Sequence, residues 1–393
     1  MVSRRTILAG GVGAALVAGI GYRIWDRGVF SGPQGNAYLP WDEWRGSIID
    51  GLERPLHAAI LAANPHDTQP WLFELRDEAI TVYADRARNL GAFDPFRREM
   101  HLGLGAAIEN LVRAAGVDGY TAYVRPVAGR LKISPGPEPV AVAHITMDPG
   151  APARDPLFEA IPDRHTNRGV YLENPLATNV LRGLADLASS SDVRVAFIVD
   201  PKARAEMGAL IVEATQRIID DPDMSLASAH WMRTGRREVE AHPDGITIDA
   251  AGVSPLLTVF GKMMPDQSPR STDQYWIANT RDTQVHAPVL GVLLVKDRLD
   301  MVQSINAGRA WQRLHLAATA LRLAAQPLNQ PVECVDRNEM LGRPDIFQNA
   351  LVNMADAPGW QPTFTFRLGY AEKPALPSPR RPLADVIKGS GLA

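Results

Sequence analysis

The sequence predicts an α+β fold built from two related halves. Apolar runs typical of strands, such as residues 71–75 and 289–295, alternate with long helical patterns such as residues 102–115. Residues 105–115 align without gaps with residues 308–318, and both follow G-x-A-x-[E/Q]-x-L-x-x-A-A. Because each copy lies between strand patterns, we predict a duplication in which one chain folds as two fused copies of a dimer-forming unit.

Composition sets broad limits on function. The chain has 393 residues, 46% of them hydrophobic, which is ample for a large core. A formal net charge of -3 gives no electrostatic basis for binding nucleic acid, so we expect no such partner. The single cysteine, Cys334, excludes an intrachain disulfide and a multi-cysteine zinc site. The histidines show no H-x-x-x-H spacing, and we therefore predict no metal site.

Residues 1–28 are interpreted as a twin-arginine export signal or a membrane anchor. Arg4 and Arg5 precede an apolar run at residues 7–20, which is shorter than the ~20 residues that cross a bilayer. No small-residue cleavage site follows the run, so retention as an anchor in the cytoplasmic membrane is the alternative to cleavage. We predict recognition by the twin-arginine translocase and export to the periplasm or cell envelope. A basic N-terminus with a chance arginine pair is the other interpretation.

The remaining elements follow in order along the chain. Residues 29–45 are expected to be a linker, residues 46–155 the first half and residues 156–393 the second half. In the first half we predict a helix up to residue 63, strands at 71–75 and 80–84, a helix at 102–115 and a strand at 140–147. In the second half we predict helices at 178–187, 202–219 and 305–324, and strands at 193–199, 289–295 and 363–370. The polar stretch 220–273 has weak periodicity and is expected to be a lid-like excursion.

A rigid polar loop is predicted between the first helix and the first strand. Pro65 and Pro70 fix the backbone and push the residues before them towards extended conformations. Asn64, Asp67 and Gln69 offer polar groups that suit the edge of a planar heterocycle. A turn whose Asn and Asp side chains cap a helix or bond their own backbone remains the alternative.

Two basic segments are candidate anion sites. Arg164 and Arg168 are four residues apart, a spacing that places both on one side of the chain, and Thr166 lies between them. Guanidinium groups bind phosphate bidentately, and a hydroxyl can add a further hydrogen bond. Arg380 and Arg381 lie between prolines near the C-terminus. An exposed basic turn and a solvated basic tail are the alternative interpretations.

Together these segments resemble the nitroreductase family. The matching motifs are the loop ending Gln69-Pro70-Trp71, the R-x-[S/T]-x-R pattern at residues 164–168, and the basic pair at residues 380–381. The nearest subgroup is the fused, mycobacterial-type Acg-like branch, and the resemblance covers roughly residues 48–387. In that family the loop comes from one subunit and both basic segments from the other, with FMN between them. Here the motifs are divided between the two halves, as a fused dimer with one surviving site would require.

The resemblance also implies a role for each matching position. Arg164, His165 and Thr166 would meet the FMN phosphate, with Arg380 or Arg381 completing the charge, and Arg168 would face N1 and the C2 carbonyl of the ring. The backbone of residues 327–330 would approach flavin N5. The expected cofactor-binding residues are thus Asn64, Pro65, His66, Asp67, Gln69, Arg164, His165, Thr166, Arg168, Pro327, Leu328, Asn329, Gln330, Arg380 and Arg381.

The implied activity is that of an FMN-dependent oxidoreductase that passes electrons to nitroaromatics, quinones or similar flat acceptors. Flavin N5 carries the chemistry, so no catalytic side chain is expected. NAD(P)H or a membrane quinol would be the electron donor. His66 and Asp67 depart from the family pattern, and an aspartate would oppose a reduced, anionic ring unless it is protonated or turned away. A protein that binds or sequesters flavin without turnover, and a flavin-free scaffold, remain the alternative functions.

Overall fold

The computed structural model describes residues 21–44, 52–76, 79–264 and 269–388. Helices and strands both contribute, which confirms the α+β prediction. The first half contains α1 (Leu39–Glu43), α2 (Glu53–Ala59), β1 (Trp71–Arg76), β2 (Ala79–Ala84), α3 (Arg98–Val117), β3 (Tyr120–Pro126) and β4 (Val140–Pro149). Its four strands form an antiparallel sheet in the order β1-β2-β4-β3.

The second half is longer because the chain leaves its sheet between the first and second strands. It begins with α4 (Pro156–Glu159), α5 (Thr178–Ala188), β5 (Val193–Ile198) and α6 (Pro201–Asp220). The excursion follows as α7 (Pro222–Ala229), β6 (Met232–Arg233), α8 (Arg236–Ala241), β7 (Ile246–Thr247), α9 (Pro255–Met263) and α10 (Pro269–Asn279). The chain then returns through β8 (Val289–Val295), α11 (Met301–Ala320), β9 (Ala324–Pro327), α12 (Gln330–Leu341), α13 (Phe347–Met354) and β10 (Gln361–Gly369).

The two sheets have the same connectivity. The second sheet is antiparallel, with the order β5-β8-β10-β9. When β5, β8, β9 and β10 are matched to β1, β2, β3 and β4, the strand orders coincide. The long helix also comes after the second strand in both halves, as α3 in one and α11 in the other.

The repeated sequence lies where these two long helices touch. A Cβ atom added at Gly105 would lie 2.1 Å from the carbonyl oxygen of Ile305, and one added at Gly308 would lie 2.0 Å from the carbonyl oxygen of Leu102. Only glycine allows such close approach of two helix backbones. The repeat therefore reflects a reciprocal contact between the halves.

Buried polar pairs reinforce this contact. Gln312 Nε2 donates to Asn110 Oδ1 at 2.8 Å, and Glu109 Oε2 accepts from both Arg309 and Arg313 at 3.0 Å. Removing one partner would leave a buried polar group unpaired, so these contacts help to fix the register of the two helices.

Several element predictions need correction. The helix expected at residues 305–324 ends at Ala320, and residues 324–327 form β9 instead. The strand β3 and the helices α12 and α13 were not predicted. Residues 36–43, expected within a linker, form a 3-10 turn followed by α1, and Trp41 and Trp44 are buried there. The hydrophobic faces of these tryptophans bring the segment into the folded core.

The N-terminal prediction falls mostly outside the described residues, since the arginine pair and the apolar run precede residue 21. Residues 21–27 are helical, and Arg23 donates to the carbonyl oxygens of Met263 and Met264 at 3.0 and 2.8 Å. None of the helices in the described part of the chain has the length and hydropathy needed to cross a bilayer.

Candidate functional site

A cavity of about 220 Å³ lies between the two halves. The polar loop and the start of α3 form one wall, and residues 326–333 form another. The excursion, including its last helix α10, closes the remaining side. Of the fifteen predicted cofactor-binding residues, those lining the cavity are Asn64, Pro65, His66, Thr166, Arg168, Pro327, Asn329 and Gln330. The polar loop, part of the segment at residues 164–168 and the segment at residues 327–330 therefore reach one cavity, whereas Arg164, Arg380 and Arg381 do not line it.

The polar loop has an unusual backbone held by its own side chains. His66, Asp67 and Gln69 all have positive φ, at 48°, 53° and 50°. Non-glycine residues seldom adopt this region, so surrounding contacts must hold the loop there. Asn64 supplies two of them, since its Oδ1 accepts from the Gln69 amide at 2.8 Å and its Nδ2 donates to Asp67 Oδ1 at 3.2 Å.

Gln69 ties this loop to two other segments and does not line the cavity. Its Nε2 donates to the carbonyl oxygen of Pro243 in the excursion, and its Oε1 accepts from the Arg381 amide, each at 2.8 Å. The prediction that Gln69 contacts a cofactor ring thus needs correction to a positioning role. Arg381 likewise lies off the cavity wall, and its guanidinium donates to the carbonyl oxygen of Asp385 at 2.8 Å.

Asp67 also points away from the cavity. Its Oδ1 pairs with Arg380 at 2.5 Å. Burial raises the pKa of Asp67 to about 6, and the neighbouring Arg380 acts in the opposite direction. The predicted contact between Asp67 and a ring is therefore replaced by a buried ion pair, which removes the repulsion expected of an aspartate beside a reduced flavin.

Three arginines are electrostatically coupled to this one carboxylate: Arg380, which is buried and paired with it, Arg164, which is buried, and Arg168, which is half-buried. The negative charge of Asp67 acts to raise the pKa of Arg164, Arg168 and Arg380. Burial, together with Arg380, lowers the pKa of Arg164 to about 9, so all three remain cations at neutral pH. Within the described structure, the Nε atoms of Arg164 and Arg380 have no hydrogen-bond partner. Three guanidiniums against one carboxylate leave two uncompensated positive charges beside the cavity.

A layer of aromatic packing covers this cluster. The Trp41 ring lies 4.5 Å from the His165 ring and 4.8 Å from the Arg380 guanidinium, and its Nε1 donates to the carbonyl oxygen of Ser378 at 2.8 Å. Burial lowers the pKa of His165 to about 3, which keeps the ring neutral. His165 therefore packs under α1, off the cavity wall, which differs from its predicted phosphate contact.

The wall formed by residues 326–330 presents amide groups to the cavity. Asn329 Oδ1 accepts from the Thr365 amide at 3.1 Å, so its Nδ2 faces Glu99. The Oε1 atoms of Gln326 and Gln330 have no partner among the described residues, although both side chains are buried. Leu328 differs from its neighbours, because its side chain lies in the hydrophobic core and not on the cavity wall.

Sequence reasoning missed the aromatic and acidic parts of the cavity. The Phe93 ring lies 5.0 Å from the His66 ring and 6.2 Å from the Trp276 ring. The Phe93 and Trp276 rings are stacked, with an angle of 28° between their planes. Glu99 and Glu333 also line the cavity, from the first turns of α3 and α12. These residues are distant in sequence and share no motif, so only the fold reveals that they meet.

Comparison with known proteins gives one consistent relationship. No protein-family model matches the chain. It is 24% identical over 349 residues to Rv3131, a protein of Mycobacterium tuberculosis strain H37Rv named as a proposed NAD(P)H nitroreductase, covering 85% of this chain and 90% of the relative. It is also 24% identical over 348 residues to acg of the same strain, which carries the same description, covering 86% and 95%.

Similarity to solved structures is weaker. A proposed nitroreductase from Anabaena variabilis is 12% identical and covers 75% of this chain and 69% of its own, with a TM-score of 0.41. An FMN-bound nitroreductase from Desulfitobacterium hafniense is 14% identical and covers 58% and 95%, with a TM-score of 0.34. Superpositions this distant add nothing to the sequence relationship. The alignments with the mycobacterial relatives span most of both chains, so this chain is similar over most of its length to proteins named as NAD(P)H nitroreductases.

Proposed function

We propose that this protein is an FMN-dependent oxidoreductase of nitroreductase type that reduces nitroaromatic, quinone or similar flat acceptors. The names of the mycobacterial relatives suggest an NAD(P)H-type electron donor. The observation that carries the proposal is the uncompensated positive charge of Arg164, Arg168 and Arg380, of which Arg168 lines a cavity formed by both halves and the other two are buried behind it.

The residues present fit FMN. A phosphate monoester carries a charge of about -1.5 to -2 at neutral pH, and the net positive charge of the arginine cluster has the sign that binds such a group. Unpartnered buried guanidinium Nε atoms are costly, and phosphate oxygens are suitable acceptors for them. The cavity itself offers aromatic surface from Phe93 and Trp276 and unpaired amide oxygens from Gln326 and Gln330. Such a mixture suits a planar heterocycle with polar edges.

Each group of residues then has a distinct task. Arg164 and Arg380 would hold the phosphate, while Arg168, which lines the cavity, would stabilise negative charge on a reduced ring. Asn64 and His66 would contact the ring from the first half. When bound, FMN supplies hydride transfer, which the side chains of this cavity do not provide by themselves.

We further propose that the chain is a fused duplication with one surviving cofactor site. The matching strand orders of the two sheets and the reciprocal contact of Gly105 with α11 and of Gly308 with α3 support the duplication. The R-x-[S/T]-x-R pattern occurs at residues 164–168, and no equivalent precedes the first half. One cofactor per chain is therefore expected.

Export remains part of the proposal. Arg4 and Arg5 ahead of the apolar run support recognition by the twin-arginine translocase, with cleavage or membrane anchoring as alternative outcomes. A protein that holds flavin without turnover is the second candidate function. The excursion favours it, because Ser228, Met232 and Ile246 close one side of the cavity and would restrict access to a bound ring.

Fluorescence titration with FMN tests the cofactor proposal. Arg164→Ala and Arg168→Ala should each weaken binding about 10- to 100-fold, because a hydrogen bond to a charged group contributes about 1.5–3 kcal/mol. Arg217→Ala removes a half-exposed arginine on α6 and should leave affinity unchanged. Equal affinity in all three variants would contradict the assigned sites. Bleaching of bound flavin by NADPH would distinguish the oxidoreductase from the flavin-holding protein, which should stay yellow.

A further inference from the structure

Two carboxyl groups meet at the end of the cavity formed by α3 and α12. Glu99 and Glu333 come from distant parts of the chain, and the two residues are 6% and 5% exposed. Both line the cavity, and the two carboxyls lie within hydrogen-bonding reach of each other. Carboxyl groups in contact cannot both be ionised without strong repulsion, so the pair holds one proton between them.

The surrounding groups indicate which carboxyl carries that proton. Glu99 Oε1 accepts a hydrogen bond from Asn329 Nδ2, whose orientation is fixed because Thr365 donates to the other end of the amide. Arg98 lies 3.5 Å from the same Glu99 oxygen. Within the described residues, no donor reaches Glu333 Oε2. The negative charge is therefore stabilised on Glu99, and the proton resides on Glu333.

Other charged groups leave this assignment in place. Asp94, which precedes α3, raises the pKa of both carboxyls, whereas Arg98 lowers both. Arg98 is itself shared with Asp336 of α12, at 2.6 Å from its Nε. Burial remains the largest influence, and it raises the pKa of Glu99 to about 7 and that of Glu333 well above its ordinary value.

No other described residue lining the cavity offers a comparable acid. Burial lowers the pKa of His66 to about 4, so its ring is neutral at physiological pH. Arg168 is a cation that does not release its proton. Asp273 accepts a hydrogen bond from Ser225 Oγ at 2.7 Å. Burial raises the pKa of Tyr275, which makes its phenol a weaker acid.

The same wall carries a separate indication of a ligand. The Oε1 atoms of Gln326 and Gln330 are buried without partners, and their residues line the cavity beside the carboxyl pair. Buried acceptors of this kind are normally satisfied, so a molecule with N–H or O–H groups is expected to meet them.

We propose that Glu333, with Glu99 as its partner, delivers the proton that a two-electron acceptor takes up in this cavity. The inference rests on the proposed oxidoreductase function. A quinone gains a hydride from the reduced flavin and one proton from Glu333. An O–H bond forms on the acceptor oxygen as the Glu333 O–H bond breaks, and the product is the hydroquinone. Glu333 then regains a proton from solvent, assisted by repulsion between the two carboxylates.

Two acceptors with different proton demands test this role in the holoenzyme. Benzoquinone needs a proton for each hydride, whereas ferricyanide accepts electrons alone. Glu333→Gln should lower benzoquinone reduction about 100-fold or more, the scale of general acid catalysis, with ferricyanide reduction and FMN affinity unchanged. Benzoquinone reduction by the unsubstituted protein should also fall as the pH rises above neutrality, and the variant should lose that dependence. Glu206→Gln, an exposed substitution on α6, should behave as the unsubstituted protein.

Infrared spectroscopy of the protein without FMN gives a second readout. The protonated carboxyl band at pH 7 should have the same intensity in the parent and in Glu206→Gln, and it should lose the contribution of one carboxyl in Glu333→Gln, where Glu99 still contributes because its pKa is about 7. Two results would overturn the proposed proton transfer from Glu333 without affecting the proposed function. One is the absence of that band from the parent protein, and the other is a normal rate and pH profile of Glu333→Gln with benzoquinone. A chain that reduces neither acceptor overturns both the delivery and the proposed function.

Discussion

Replacement of Gly105 by alanine tests the contact that joins the two halves. A Cβ atom at this position would lie 2.1 Å from the carbonyl oxygen of Ile305 and 3.0 Å from the Gly308 Cα. Both are backbone atoms of α11, so no side-chain rotation relieves the overlap. Overpacking of this kind costs about 1–3 kcal/mol, and the backbone contact places this substitution at the upper end of that range. Alanine regains up to about 1 kcal/mol of helix propensity. The net expectation is destabilisation of about 2 kcal/mol.

Gly116 provides a control within the same helix. It also lies in α3, but a Cβ atom there would have no neighbour within 4 Å. Gly116→Ala should therefore stabilise the protein by up to about 1 kcal/mol through helix propensity alone. Urea unfolding at equilibrium measures both variants, provided that the m-values match. If Gly105→Ala proved as stable as Gly116→Ala, the reasoning about a close helix crossing would be refuted.

Two further substitutions test the cluster behind the cavity. Trp41→Ala should lower the free energy of unfolding by about 3–5 kcal/mol, because Trp41 is buried against His165 and Arg380, whereas a linker residue would give no change in urea unfolding. The pKa of Asp67 is about 6 in the folded protein against an ordinary 3.8, so the folded state binds this proton more tightly and stability should fall as the pH rises from about 4 to 6. Asp67→Asn should remove that part of the slope when unfolding is measured across this range, and an identical slope would contradict the assignment.

Local patterns in the sequence were sufficient for much of the fold. The continuous apolar run of β8 was predicted at the same residues that the structure shows, because a fully buried strand needs no alternation. The repeated G-x-A motif located the two helices that cross. By contrast, β9 has only four residues and directly follows an alanine-rich helix, so its pattern merged with that of α11. Trp41 is buried because it contacts Ser378 and Arg380 in the C-terminal tail. The residues next to Trp41 in sequence give no indication of that contact.

The sequence indicated those parts of the candidate site that lie within a single short segment of the chain. The loop at residues 64–67 and the segment at residues 164–168 both reach the cavity or the cluster behind it. The direction of individual side chains was not predictable, since Asp67 turns towards Arg380 across a large sequence separation. Glu99 and Glu333 were missed for the same reason, because each has an ordinary place in the first turn of its own helix.

Titration of the purified chain with FMN tests the central claim most directly. Arginines that leave two positive charges uncompensated beside a cavity shared by both halves should bind one FMN per chain, with a yellow flavin spectrum. A chain that takes up no FMN, or one that binds two, would contradict the account.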